Sequence, residues 1–170
     1  QAAKNQNLLG MGSTVVAAFL HNQRVNLINV GDSRAYILHG QQPIQISTDQ
    51  SWVMDQVRMG NLTLEQARHH RKLNHLSMSL SANRPSITPV LSESPFAPDD
   101  ILLLCSDGLW GVVPDSLLWA AANEFDPQEA AEKLVTLANQ SGGPDNISVI
   151  VARRKDRQGI KIESDETTNG

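Results

Sequence analysis

The chain has 170 residues, 40% of them hydrophobic and 19% charged, with a formal net charge of −4; that is the length of one domain and the composition of a globular protein, not a disordered one. This charge balance gives no general attraction to nucleic acid or anionic membrane. One cysteine, Cys105, excludes an internal disulfide framework and a cysteine-based zinc cluster. No apolar run reaches the roughly 18 residues a membrane-spanning helix needs, and no secretion leader is visible. The chain opens on Gln1 rather than Met, which suggests a fragment or a processed product.

Order is expected from Leu8. Residues 12–20 are β-branched and apolar and predict a buried strand. Residues 25–30 alternate and predict a second strand, and residues 35–38 predict a third after the break at Gly31, Asp32 and Ser33. Short polar turns join the three, which points to an antiparallel meander. Residues 52–59 read as a helical stretch ending at Gly60, and Thr63 with Gln66 makes a capping box for a short helix from Leu64. Residues 73–98 are rich in Ser, Asn and Pro and read as irregular. The aliphatic run 101–104 predicts a buried strand closed by Ser106, Asp107 and Gly108. Pro114 is expected to open a helix with Leu117, Leu118, Ala121 and Ala122 on one face. Asp126 is a good cap for the next helix, with Pro127 at its first position and an apolar stripe that stops at Gly142. Residues 147–151 predict a last buried strand, and a polar tail follows Arg153. Strands, then helices, then a strand give an α+β class with antiparallel sheet.

Three aspartates share a setting: Asp32, Asp107 and Asp145 each stand at the end or start of an apolar strand, beside glycine or a small residue. A carboxylate is costly beside a core unless it is paired or binds a metal, and hard oxygen donors of this sort suit Mg²⁺ or Mn²⁺ better than zinc. The alternative is that each merely caps a turn, which aspartate does well.

The surrounding text goes further. Leu9-Gly10-Met11-Gly12-Ser13-Thr14, Asn29-Val30-Gly31-Asp32-Ser33-Arg34, Leu104-Cys105-Ser106-Asp107-Gly108-Leu109-Trp110 and Gly143-Pro144-Asp145-Asn146-Ile147-Ser148 resemble, in order and spacing, four motifs of the bacterial type 2C metal-dependent protein Ser/Thr phosphatases. The resemblance covers residues 8–152 and matches about the C-terminal two-thirds of that family's domain. It implies a β-sandwich of antiparallel sheets flanked by helices, partial here because the N-terminal strands have no counterpart in the chain. It also implies a centre of two Mn²⁺ or Mg²⁺ ions, with a third in bacterial members. Asp107 and Asp145 match ligands of the two central metals, and Asp32 and Asp107 match positions holding the third. A water made acidic by two metals then attacks phosphorus in line, with no covalent enzyme intermediate. Asn146, Gly108 and Ser106 would support the ligand loops. Arg34 would brace Asp32 or another acid, and Gly10, Gly12, Gly31 and Gly111 would serve tight backbone geometry. Cys105 reads as buried filler, not as a nucleophile.

Residues 49–90 correspond to the family's variable flap beside the active site, where His69, His70 and His75 are candidates to approach a phosphosubstrate. Where family flaps often open Asp-His-Ser, this chain has Asp49-Gln50-Ser51, and the usual Asn-x-Leu-Thr-Arg reads Asn74-His75-Leu76-Ser77-Met78. The family's upstream Asp-Gly-x-Gly-Gly loop and its earlier acidic motif do not occur in these residues, so the chain alone is expected to be weak or inactive. The resemblance implies phosphorylated protein substrates of a Ser/Thr kinase, a monomer and a cytoplasmic location. It implies no nucleic-acid partner. The rival expectation is a non-catalytic phosphatase-like module that binds a phosphoprotein or regulates a kinase.

Overall fold

Alternation along the strands decides which side of each sheet is buried. The computed structural model describes residues 11–40, 42–81 and 86–154. The expected start at Leu8, the role given to Gly10 and the tail beyond residue 154 lie outside the described residues. The expected strand over 12–20 is two strands. β1 (Gly12–Ser13) pairs with β6 (Leu80–Ser81), and β2 (Val15–His21) forms a hairpin with β3 (Arg24–Val30). The hairpin turn puts Asn22 and Gln23 at φ 46° and 61°, a left-handed pair that matches the right-handed twist of the flanking strands.

The meander stops there, which corrects the sequence reading. β3 takes β7 (Val90–Pro95) on its other edge, giving a sheet of order β2-β3-β7. β4 (Arg34–His39) leaves for a second sheet of order β5-β4-β8-β9, with β5 (Gln42–Gln45), β8 (Ile101–Cys105) and β9 (Val149–Arg153). The cause is the turn at Gly31, whose φ of +103° redirects the chain and is closed to ordinary L residues. A Cβ there would also stand 2.4 Å from Thr14 Cγ2. β7 lies in the stretch expected to be irregular. Its inward positions include Ser92 and Ser94, so its apolar signal is weak although its pairing is full.

The two sheets face each other through Val25 and Leu27 on one side and Ala35, Ile37, Leu102 and Leu104 on the other, with Phe96 at the rim. The opposite face of the second sheet offers Tyr36, Leu38, Ile101, Leu103 and Cys105 to a helical layer. That layer comprises α3 (Asp107–Trp110), α4 (Asp115–Glu124) and α5 (Pro127–Gln140), packed through Leu109, Leu118, Ala122, Leu134 and Ala138. β8 is buried on both faces, which explains its unbroken aliphatic run. The α+β reading and the antiparallel sandwich flanked by helices are therefore observed.

Asp126 caps α5 as expected, its Oδ1 accepting from the Gln128 and Glu129 amides. Pro114 sits one residue outside α4, at the cap. β9 begins two residues later than expected because Ile147 and Ser148 still belong to the incoming loop, where the Ser106 amide donates to Ser148 O at 3.1 Å. The flap carries α1 (Trp52–Arg58) and α2 (Leu64–Arg68), and the Thr63–Gln66 capping box is present. Val15, Phe19, Ile28 and Leu91 stand exposed on the first sheet.

Candidate metal centre

Register brings the three aspartates to one end of the second sheet. Arg34, at the start of β4, lies opposite Cys105, at the end of β8; Cys105 also lies opposite Val149, at the start of β9. The residues just outside these strands, Asp32, Asp107 and the loop carrying Asp145, therefore emerge together. Ser106 fastens two of the three segments. Its Oγ donates to Asn146 O at 3.1 Å and accepts from the Ser148 amide at 3.0 Å. Gly108 lets the same segments touch, since a Cβ there would lie 2.4 Å from Asn146 O. Each ligand candidate is held locally. Asp107 Oδ1 accepts from the Gly108 amide at 3.0 Å, and Asp145 Oδ1 accepts from the Asn146 amide at 2.7 Å.

Asp32 is the buried member, 7% exposed. Burial pushes its carboxyl up to about 6, helped by the negative charges of Asp107 and Asp49. The nearby cation, Arg34, spends its donors elsewhere: Nε and Nη2 grip the Asp49 carboxylate at 2.7–3.1 Å, and Nη1 donates to Tyr36 Oη. Of the sequence alternatives for Arg34, the acid it braces is Asp49, not Asp32. Crowded carboxylates without a committed cation suit a divalent ion, and the oxygen donors fit Mg²⁺ or Mn²⁺. Among the described residues, no three His, Cys, Asp or Glu side chains converge closely enough to hold a metal unaided. Mg²⁺ itself commonly takes only one or two carboxylates and keeps waters in its remaining positions, so the Asp32–Asp107 pair is compatible with it.

The raised Asp32 pKa sets a sign for stability. Folding lifts it from 3.8 to about 6, so the folded state binds this proton more tightly than the unfolded one. Cation-free stability then falls as pH rises from about 4 to about 6 and stays reduced above. Asp32→Asn is expected to raise the Tm of the EDTA-treated protein at pH 7.5, by ~2–4 °C for each kcal/mol relieved, and to give no gain below pH 4. Thermal melts at the two pH values check this; an equal shift at both would show that the titration is not the cause.

The flap histidines keep to the flap. His69 Nε2 is 3.1 Å from Glu65 Oε1, and His70 stacks on Trp52 at 4.9 Å while its Nδ1 accepts from the Lys72 amide. His75 is exposed and offers its carbonyl to the Trp52 amide. None of these contacts reaches the acidic turns.

Sequence reasoning missed three residues that join flap and centre. Gln50 takes the Gly31 amide on Oε1 at 3.0 Å and donates from Nε2 to Thr88 O at 2.9 Å. Asp49 is the acid under Arg34. Trp110 donates from Nε1 to Asp32 O at 3.0 Å and carries the Arg34 guanidinium on its ring face at 3.6 Å. The only signal for Gln50 was its place in an unusual flap opening.

Comparison with known proteins agrees with this arrangement. The family model for protein phosphatase 2C matches residues 1–55. The serine/threonine phosphatase stp of Listeria monocytogenes is 36% identical over 154 residues, covering 90% of this chain and 61% of that protein. The chain is thus similar to type 2C protein phosphatases over about nine tenths of its length. It spans about three fifths of the length of that relative. The crystal structure of Stp1 from Staphylococcus aureus superposes with a TM-score of 0.84 at 32% identity, covering 91% of this chain and 61% of that one. The catalytic domain of PstP, crystallised with two manganese ions, gives a TM-score of 0.76 at 33% identity over 88% of this chain and 63% of that one. Among the described residues, no helix is long and apolar enough to cross a membrane.

Proposed function

We propose that the protein hydrolyses phosphoserine and phosphothreonine esters of proteins with the help of Mn²⁺ or Mg²⁺. The observation that carries this reading is the convergence of Asp32 and Asp107 at one sheet end, with the Asp145 loop stitched alongside by Ser106. Asp107 and Asp145 would hold the central ions, and Asp32 with Asp107 a further one. Bound there, the ions supply an acidified water and neutralise phosphoryl oxygens. The chain's own residues orient this set. Ser106 fixes the spacing of two loops, the Asn146 amide holds Asp145 Oδ1, and the Gly108 amide holds Asp107 Oδ1.

The substrates are read as phosphorylated Ser/Thr proteins, which the phosphatase names of the relatives support; a kinase that makes them, a cytoplasmic site and a monomeric enzyme belong to the same reading. Phosphate release from phosphoserine and phosphothreonine peptides by the full-length protein, with Mn²⁺ and with EDTA, tests the proposal. Release is expected with Mn²⁺ and is expected to stop with EDTA. Mn²⁺ binding and peptide binding without release would overturn catalysis in favour of a non-catalytic phosphoprotein-binding module.

A further inference from the structure

One continuous set of contacts runs from the root of the flap to the acidic turns. Asp49, the first flap residue, is 3% exposed. Its carboxylate accepts from Arg34 through both Nε and Nη2 and from Gln45 Nε2 at 2.8 Å, and its carbonyl accepts from Arg58 Nη1 of α1 at 3.0 Å. The Arg34 guanidinium lies against Trp110. Trp110 closes the helical turn that Asp107 begins, and its indole N–H binds the Asp32 carbonyl. A planar guanidinium gripped by a two-oxygen fork and stacked on a ring is fixed in both position and orientation, which a lysine cannot reproduce.

The flap buries Val53 and Ala67 but is not packed solid against the body. A cavity of about 570 Å³ lies beneath it, bordered by Met54 and Leu64 of the flap and by Arg34, Asp49 and Trp110. Beside this space, the polar ties at Asp49 help set where α1 rests.

We propose that Arg34 and Trp110 are positioning residues that make flap docking and divalent-cation binding at Asp32 and Asp107 one coupled equilibrium. This rests on the reading of that pair as a cation site. Coupling of this kind is reciprocal: if a docked flap tightens cation binding, a bound cation must favour the docked flap by the same factor. Trp110→Phe keeps an aromatic ring near Arg34 but removes the N–H that reaches Asp32 O, together with part of the ring face, so it cuts the route at that bond.

The test is limited trypsin cleavage of the protein at Arg68, Arg71 and Lys72 of the flap, with and without Mn²⁺, while electron paramagnetic resonance counts bound Mn²⁺. In the wild type, Mn²⁺ is expected to slow flap cleavage about fivefold or more, the lower end of ordinary site-to-site coupling. In Trp110→Phe this protection is expected to shrink below about twofold, with a matching rise in the Mn²⁺ Kd. Asp49→Asn, which keeps the shape of the flap root, is expected to behave the same way if the phenylalanine variant does not fold. A purely structural role would lower Tm and leave the Mn²⁺ dependence of cleavage intact. Bound Mn²⁺ without flap protection in the wild type, or full protection in both variants, would overturn the coupling alone. A wild type that binds no Mn²⁺ would overturn the cation site, and the coupling with it.

Discussion

In the full-length protein, Asp107→Ala is expected to lower Mn²⁺-dependent phosphatase activity by about three orders of magnitude, the equivalent of several kcal/mol of lost charge stabilisation. Asp107 stands between the other two acids in the architecture. It shares an electrostatic environment with Asp32, and the residue before it, Ser106, is bonded to the loop that carries Asp145. Its removal therefore depletes the central ions and the further one, whereas Asp32→Ala depletes only the further one. Stability should move in the opposite direction to activity in the cation-free protein, because Asp107 is one of the charges that push the Asp32 carboxyl up. Phosphate release and EDTA-state melting, measured on the same variant, separate lost chemistry from lost fold. Activity retained in Asp107→Ala would remove it from the ligand set.

Gly108→Ala is the second large effect, and it acts without touching a charge. The added methyl would meet Asn146 O at 2.4 Å and Asn146 C at 3.0 Å. Both are backbone atoms, so no side chain can swing aside, and the Asp107 and Asp145 segments must part. Overpacking of this kind costs about 1–3 kcal/mol, or ~2–4 °C of Tm per kcal/mol at this chain length. Mn²⁺ affinity is expected to fall about 10–100-fold, as for other groups that hold ligands in place. Gly12→Ala is the control, since its methyl would meet nothing closer than 3.4 Å. Metal titration and thermal melting of the two variants should diverge; matching behaviour would mean that the close approach at Gly108 does not position the ligands.

Local chemistry in the sequence was readable where one residue or one short run decides the outcome. The Thr63–Gln66 box, the Asp126 cap and the aliphatic run of β8 are such cases. The positions of Asp32, Asp107 and Asp145 beside strand ends were equally visible, and antiparallel register then carried them to one end of a sheet. Pairings fixed by tertiary register were not readable. Nothing near Arg34 announces that its acid lies 15 residues on, and nothing near Trp110 announces a bond to a carbonyl 78 residues back. The passage of β4 into a second sheet escaped for a related reason. A glycine break looks the same in sequence whether the next strand folds back or crosses the sandwich, and the left-handed turn at Gly31 that redirects the chain shows only in the structure. β7 was lost because its inward side carries serines.

Cys105 has a redox consequence. The thiol sits in the middle layer of the fold, 3% exposed, and burial pushes its pKa up to about 12. Peroxide and disulfide reagents attack thiolates, and they need access to them. At neutral pH this sulfur offers neither, and it is the chain's only cysteine. An oxidative burst that silences thiol-dependent hydrolases should therefore leave Cys105, and the layer it packs in, untouched.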